Sequence, residues 1–289
     1  MNIGIIGAGR VGCSIGKYLT EHADDCTVVG YFSRTHDKIT DAADFTCSKA
    51  FSDLDELIKS SDTLLITTPD DSIKDVWDCI DKQTINGKII CHFSGSLSSD
   101  VFEDILEFGA FPGSVHPMYA FSDRFQSYKN LNEVVFTLEG HSFFLKRMDL
   151  LFSSCGNTVC LIEKDNKVKY HAAASMVSNH MLALLDTGIS LLQEIGFSRE
   201  DGYKVFSPLV KNNICNAVDS SIEASLTGPI ERGDFNTVVK HLNGLQGYPK
   251  EVYGLLGKNV LEIAKRKNAD KDYLRIERIL NNENHSNDI

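Results

Sequence analysis

The 289-residue sequence has little proline (6 residues), a single tryptophan, and no Cys-x-x-Cys pair among its eight cysteines. Without that pair the simplest thiolate metal and dithiol signatures are missing, and no structural metal is expected. Several cysteines sit inside apolar runs, where a thiol behaves as a small hydrophobe in a reducing compartment. Positive charge is also scarce, with 29 Lys and Arg against 40 Asp and Glu and a net charge of −11. That balance opposes long-range attraction to nucleic acid and to anionic membrane, so an anionic ligand needs a locally positive pocket. No apolar run reaches the ~20 residues of a membrane span, and no basic leader precedes the first strand. A cytoplasmic protein with neither a nucleic-acid nor a membrane partner is expected.

What the sequence does contain is alternation. From Met1 to about Glu163, short β-rich runs alternate with helical patterns, as in strand-helix-strand units around a mostly parallel sheet. Strands are predicted at 3–6, 27–32, 63–68, 88–93, 114–116, 134–138 and 159–162. Val11, Ile15 and Leu19, and later Ile73, Val76, Trp77 and Ile80, recur at helical spacing and turn one face to the sheet. After Lys167 the pattern becomes helical throughout. The segment to Glu194 is apolar nearly all round, and patterns at 203–218, 234–242 and 251–266 follow, with Pro208 expected to start, kink or break the first of them. The spacing predicts a fold of two parts, an α/β Rossmann-type N-terminal domain at 1–163 and an all-α C-terminal domain at 164–289. A helix apolar on all faces must be covered by its own domain or by another subunit, and a homodimer through the helical domain is expected. The polar tail from Asn281 is expected to fray.

The sharpest motif lies at the N-terminus. Gly7-Ala8-Gly9-Arg10-Val11-Gly12 follows a strand and opens an amphipathic helix, the context that a dinucleotide-binding Gly-x-Gly-x-x-Gly turn requires. Gly7 permits the turn, Gly9 lets the backbone approach a pyrophosphate, and Gly12 allows helix and strand to pack closely. A carboxylate near the end of the second strand would accept a ribose 2′-hydroxyl. Here that strand runs into Ser33-Arg34-Thr35, donors suited to a 2′-phosphate, and NADP(H) is the expected cofactor. Thr67, Thr68 and Pro69 end the third strand at a ligand-binding edge, and Ser94 ends the next. Asp70 and Asp71 serve equally well as N-caps for the helix at Ile73, and the Ser94–Ser96 turn as a helix start.

His116, beside Pro117 at a strand end, is a candidate substrate or nicotinamide contact, or a histidine bonded within its turn. Lys167, His171, Ser175 and Asn179 recur every four residues and form one polar stripe on an otherwise apolar helix. Such a stripe needs partners, either protein groups or a polar ligand in a cleft between domains. Lys167, Lys169 and His171 are therefore candidate proton donors, with Asn179 beside them. Arg232, in the Leu226–Asp234 turn, has the fork geometry for a substrate carboxylate, and Asp234 reads as a helix N-cap.

The glycine turn, the His116-Pro117 segment to Phe121, Tyr170-His171-Ala172-Ala173-Ala174 with Asn179, and Leu226 to Asp234 together resemble a family of Rossmann-like oxidoreductases. Their helical C-terminal domain is of unassigned function, and they are akin to ketopantoate reductases and pyrroline-5-carboxylate reductases. The resemblance covers nearly the whole chain. It implies an NADP-dependent reduction of a small 2-oxo acid, ketopantoate to pantoate in pantothenate synthesis. It further implies a lysine proton donor at Lys167 or Lys169, with Asn179 and Ser225 around the substrate. The family's glutamate is replaced at its aligned position by Thr237, which puts a lysine-glutamate pair there in doubt. Reduction of a cyclic imino acid, or NADP(H) sensing without catalysis, remain the alternatives.

Overall fold

The computed structural model describes residues 1–281, so the tail expected to fray lies, beyond Asn281, outside the described residues. The chain divides into two compact units, Met1–Ser178 and a second beginning at Asn179.

In the first unit eight strands form one sheet in the order β3-β2-β1-β4-β5-β6-β7-β8. These are β1 Asn2–Ile6, β2 Thr27–Phe32, β3 Lys49–Ala50, β4 Thr63–Ile66, β5 Ile89–His92, β6 Phe111–Pro117, β7 Phe136–Gly140 and β8 Val159–Leu161. The seven predicted strands are present, and the two-residue β3 is additional; it is too short to leave a periodic signal. Pairing is parallel from β3 to β6, antiparallel between β6 and β7, and parallel again between β7 and β8. Helices α1 Arg10–His22, α2 His36–Thr46 and α5 Ser142–Ser154 belong with one core, which gathers Ile3, Ile5, Leu19, Phe136, Phe144 and Phe152. Helices α3 Leu54–Ser60 and α4 Ile73–Cys79 belong with a second, built on Ile6, Leu57, Leu64, Trp77 and Ile90. Adjacent residues of one strand, Ile5 and Ile6, enter opposite cores because side chains alternate across a sheet. Strand order reverses at β1 and β4, the switch point where open α/β sheets bind ligands beyond the carboxyl ends of their strands.

Helix α6, Lys167–Ser175, closes the first unit, and the winding then changes to a π-helix over Met176–His180. The change corrects the expectation of one continuous i+4 stripe. A π turn closes on i+5 rather than i+4, so the spacing that defined the stripe is interrupted before Asn179.

The second unit is helical, with α7 Met181–Glu194, α8 Arg199–Asp219, the one-turn α9 Ile222–Ser225 and α10 Pro229–Arg232, α11 Phe235–Gly244, α12 Gly247–Lys267 and α13 Leu274–Leu280. Its core gathers Ile230, Val238, Leu242, Leu261, Ala264, Tyr273, Ile276 and Leu280. Pro208 neither starts nor breaks α8, two of the outcomes expected of it; the helix runs through it. A proline forfeits one backbone bond, which the turns on either side of this 21-residue helix outweigh. Asp234 is the N-cap foreseen, accepting from Thr237 N–H at 3.1 Å. No helix among the described residues is long and apolar enough to cross a membrane.

Candidate functional site

Two neighbouring sites occupy the carboxyl ends of the strands. The first is a cleft of about 590 Å³ lined by Gly7, Ala8, Gly9, Ser33, Arg34, Thr35, Lys38, Leu54, Thr67, Thr68, Pro69 and Val76, among others. The chain turns from β1 into α1 through Gly7, whose φ of +115° lies where residues with a Cβ are strained. A Cβ at Gly12 would fall 2.2 Å from the Gly7 carbonyl oxygen, so only glycine lets helix and loop approach this closely, whereas a Cβ at Gly9 would meet nothing within 4 Å. Gly9 therefore presents bare backbone to open space. It is the N-cap of α1, has no side-chain cap, and is followed by no acidic residue in the first turn. The helix N-terminus thus keeps its unpaired N–H groups and partial positive charge available to an anion. Arg10 is exposed and Val11 half-buried at this end of the helix.

Ser33, Arg34 and Thr35 line the same cleft, joined by Lys38, which the sequence reading missed. The cleft therefore carries two cations and two hydroxyls at the end of β2 and an apolar wall from Leu54 and Val76. Thr67 fixes the floor, donating to the Gly7 carbonyl at 2.9 Å. Thr68 Oγ1 is buried without a hydrogen-bond partner, and buried hydroxyls are rarely left so. A glycine cradle without Cβ atoms, an uncapped helix end, paired cations and an orphaned hydroxyl together fit a phosphate-bearing dinucleotide. Arg124, distant in sequence, ties the cradle down. Its Nε donates to the Ala8 carbonyl at 3.0 Å, and its Nη1 pairs with Asp41 of α2 at 2.9 Å.

The second site begins at Asp70 and covers the ends of β5 and β6. Asp70 caps no helix, contrary to one reading of the sequence. It accepts from Ser94 Oγ at 2.6 Å and Ser96 Oγ at 3.0 Å. Ser94 Oγ in turn accepts from the Ser96 and Leu97 N–H groups, closing a tight turn with Gly95 at its tip. A Cβ at Gly95 would lie 2.5 Å from His171 Nδ1 and 2.7 Å from His116 Nε2. The two imidazole nitrogens therefore converge on this glycine, and the rings meet edge to face with centroids 5.7 Å apart. His116 Nδ1 lies 2.9 Å from Tyr170 Oη, which donates to Thr137 Oγ1 at 3.0 Å. With the phenol proton directed to Thr137, the imidazole carries its own proton on Nδ1 and turns the lone pair of Nε2 to Gly95. His171 Nδ1 is buried and has no partner.

Helix α6 brings Lys167, Tyr170 and His171 together because residues three and four apart share a face. Lys167 is 2% exposed and donates to the Ser94 carbonyl at 3.1 Å and to Ser114 Oγ at 2.7 Å, whereas Lys169 points away and is exposed. Burial pushes the Lys167 ammonium below its ordinary pKa, against the pull of Glu139 and Asp70. Asn179, Ser225 and Arg232 belong to the second unit; Asn179 lies in the π-helix, Ser225 ends α9, and Arg232 is exposed at the end of α10. Thr237, aligned with the family's glutamate, donates instead to Asp234 at 2.7 Å.

Burial lowers the His92 and His116 pKa values to about 4, His92 despite its bond to the Ser98 carbonyl and His116 with help from the charges of His171 and Lys167. In the unfolded chain both titrate near 6.5. Between pH 6.5 and 4 the unfolded chain binds protons that the folded one refuses. The stability that neutral burial of these rings provides is complete above about pH 6.5 and is lost as pH falls toward 4. Melting temperatures are expected to fall across this window, and less steeply in His116→Gln and His92→Gln. Equal slopes for variants and parent would refute the assignment.

The fold and these two sites define a Rossmann-type architecture with a polar cluster beside the glycine cradle. Residues 1–117 match the model of a Rossmann-like domain, and residues 134–260 match that of a domain of unknown function, DUF2520. No curated protein matches the sequence. Among solved structures it is similar to a Thermotoga maritima protein, at 23% identity and TM-score 0.73 over 92% of this chain and 99% of that one. A Bacteroides fragilis protein given provisionally as an NADP oxidoreductase aligns at 22% identity and TM-score 0.69, over 90% of this chain and 98% of that one. The pyrroline carboxylate reductase of Plasmodium falciparum, solved with NADP bound, aligns at 15% identity and TM-score 0.57, over 93% and 97%. These likenesses concern the fold.

Proposed function

We propose that the protein is an NADP-dependent oxidoreductase that reduces a small 2-oxo acid, ketopantoate to pantoate being the reaction of choice. The observation that carries this reading is the juxtaposition along consecutive strand ends of a glycine cradle, at β1, and a buried cluster of imidazoles with an unpartnered nitrogen, at β5 and β6. Strands spaced ~4.8 Å apart put the two within reach of one extended dinucleotide. Reduced nicotinamide supplies the hydride when the cofactor is bound. The chain's own part is to hold the phosphates on the Gly9 backbone and the Arg34-Lys38 side, and to offer a hydrogen-bond partner to the substrate oxygen. His171 Nδ1 is the group assigned to that oxygen, because among the described residues it is the buried ring nitrogen that lacks a partner. His116 stays neutral and orients the cluster, and Lys167 supplies fixed positive charge behind it. Lys169 has no part in this assignment. Asn179, Ser225 and Arg232 are proposed as substrate contacts from the helical domain, which begins at residue 164 in the sequence reading.

The pyrroline carboxylate reductase likeness, over nearly all of both chains, favours reduction of a cyclic imino acid as the second reading. Following NADPH absorbance against matched 2-oxo and imino acids separates the two. Faster turnover of ketopantoate supports the first reading, preference for pyrroline-5-carboxylate supports the second, and cofactor binding without turnover of either leaves a sensor.

The helical domain is proposed to form a homodimer. Leu182, Leu184, Val205, Leu209, Ile214 and Val218 are large, apolar and exposed on α7 and α8, more than a solitary unit ordinarily leaves to water. Sedimentation at micromolar concentration is expected to give twice the chain mass. A monomer whose apolar face stays uncovered would count against the dimer.

A further inference from the structure

Glu139 has no role in the reading above. It stands on β7 opposite Ser114 of β6 and is 4% exposed. Its two oxygens accept three bonds, from Ser99 N–H at 2.9 Å, Ser99 Oγ at 2.7 Å and Ser114 Oγ at 2.9 Å. All three donors are neutral, and a buried carboxylate is costly without a countercharge. The bonded path leads to one. Lys167 Nζ donates to the same Ser114 Oγ at 2.7 Å, with Lys167 2% exposed and Ser114 fully buried. An ammonium can only donate, so Ser114 accepts from Lys167 and must pass its single hydroxyl proton to Glu139. The path Lys167 to Ser114 to Glu139 therefore runs in one direction, with all three members shut away from water. Lys167 also holds the Ser94 carbonyl, the first residue of the turn whose Gly95 lies under both imidazoles.

We propose that Glu139 is a positioning residue: the countercharge that, through Ser114, keeps Lys167 an ammonium bound to the Ser94 carbonyl and so fixes the turn beneath His116 and His171. This rests on the reading of that cluster as the reacting site. Other charged or titratable groups around Lys167 are Asp70 after β4, His92 on β5, His116 on β6, and Lys164 and His171 on its own side. Lys164 is engaged by Asp100 at 3.0 Å. Of the two carboxylates that oppose the desolvation of Lys167, Glu139 is the stronger and the one joined to it through Ser114, whereas Asp70 is held by Ser94 and Ser96.

The test needs no substrate. In full-length protein carrying 15N-lysine and 13C-histidine, the Lys167 Nζ resonance is assigned by its loss in Lys167→Met and titrated by NMR. Glu139→Gln is expected to lower the Lys167 midpoint by about one pH unit or more and to move the His116 and His171 ring resonances. Ser114→Ala, which keeps both charges but cuts the path, is expected to move the same ring resonances and carries the test if Glu139→Gln fails to fold. Ring resonances unmoved in the folded variants, or a Lys167 midpoint unmoved in folded Glu139→Gln, overturn the proposal. NADPH turnover by the parent protein is read separately, so an absent activity would refute the reaction while leaving the titration to decide the role of Glu139.

Discussion

Replacing His171 with alanine is expected to lower kcat by roughly 10²- to 10⁴-fold, the usual worth of a positioned proton-transfer group, with little change in NADPH affinity. Folded proteins pair nearly all buried side-chain nitrogens and oxygens, yet His171 Nδ1 has no partner, while Lys167 and Tyr170 on the same helical face are engaged. A buried ring nitrogen held open beside a second imidazole fits a bond made only when substrate is present. Lys167→Ala tests the competing donor, but it also strands Glu139, and breaking a buried charge pair typically costs about 3–5 kcal/mol of stability. Its effect must therefore be read beside a melting curve. Lys169→Ala, at an exposed position, is expected to be near neutral. Normal turnover in His171→Ala together with collapse in a folded Lys167 variant would transfer the role to the lysine.

Arg34→Ala is expected to weaken NADPH binding roughly 10- to 150-fold and to leave NADH affinity almost unchanged, because hydrogen bonds to a charged group are worth more than neutral ones. Arg34 lines the cleft with Ser33, Thr35 and Lys38 at the end of β2, where the 2′-substituent of an adenine ribose would lie. Lys38 shares the task, so the single variant should fall toward the lower end of that range and the Arg34→Ala/Lys38→Ala pair toward the upper. The guanidinium is exposed, and added salt should narrow the NADPH preference. Fluorescence titration of both cofactors reads the difference. Equal losses for NADPH and NADH would show that Arg34 serves the pyrophosphate or the loop rather than the 2′-phosphate.

The glycine cradle was legible because its parts are local. Gly7, Gly9 and Gly12 lie within six residues, and each is required by a turn or contact that the flanking strand and helix already imply. His116 and the pair Lys167 and His171 were legible as candidates, the first from its strand end and the others from helical spacing. Nothing in Met176–His180 announces the π turn that interrupts this spacing before Asn179. Tyr170 stands in a motif without a role; its value appears only where Thr137 of β7 and His116 of β6 meet it. Glu139 gave the opposite signal. It alternates with Phe136 and Leu138 along β7, the pattern of a residue facing water. Serines 99 and 114 receive it on that face, and α6 brings Lys167 within one hydroxyl of it, so the face is buried.

By itself, then, the sequence determined the order of strands and helices, the glycine turn and the faces that must be covered, because each depends on residues a few positions apart and on periodicities of two or 3.6. Only the tertiary structure decided which of two nearby lysines is buried, which carboxylate answers it and which imidazole nitrogen is left open. Those outcomes depend on desolvation, and what removes water from a charge here is a helix, a strand or a turn 25 to 73 residues away along the chain.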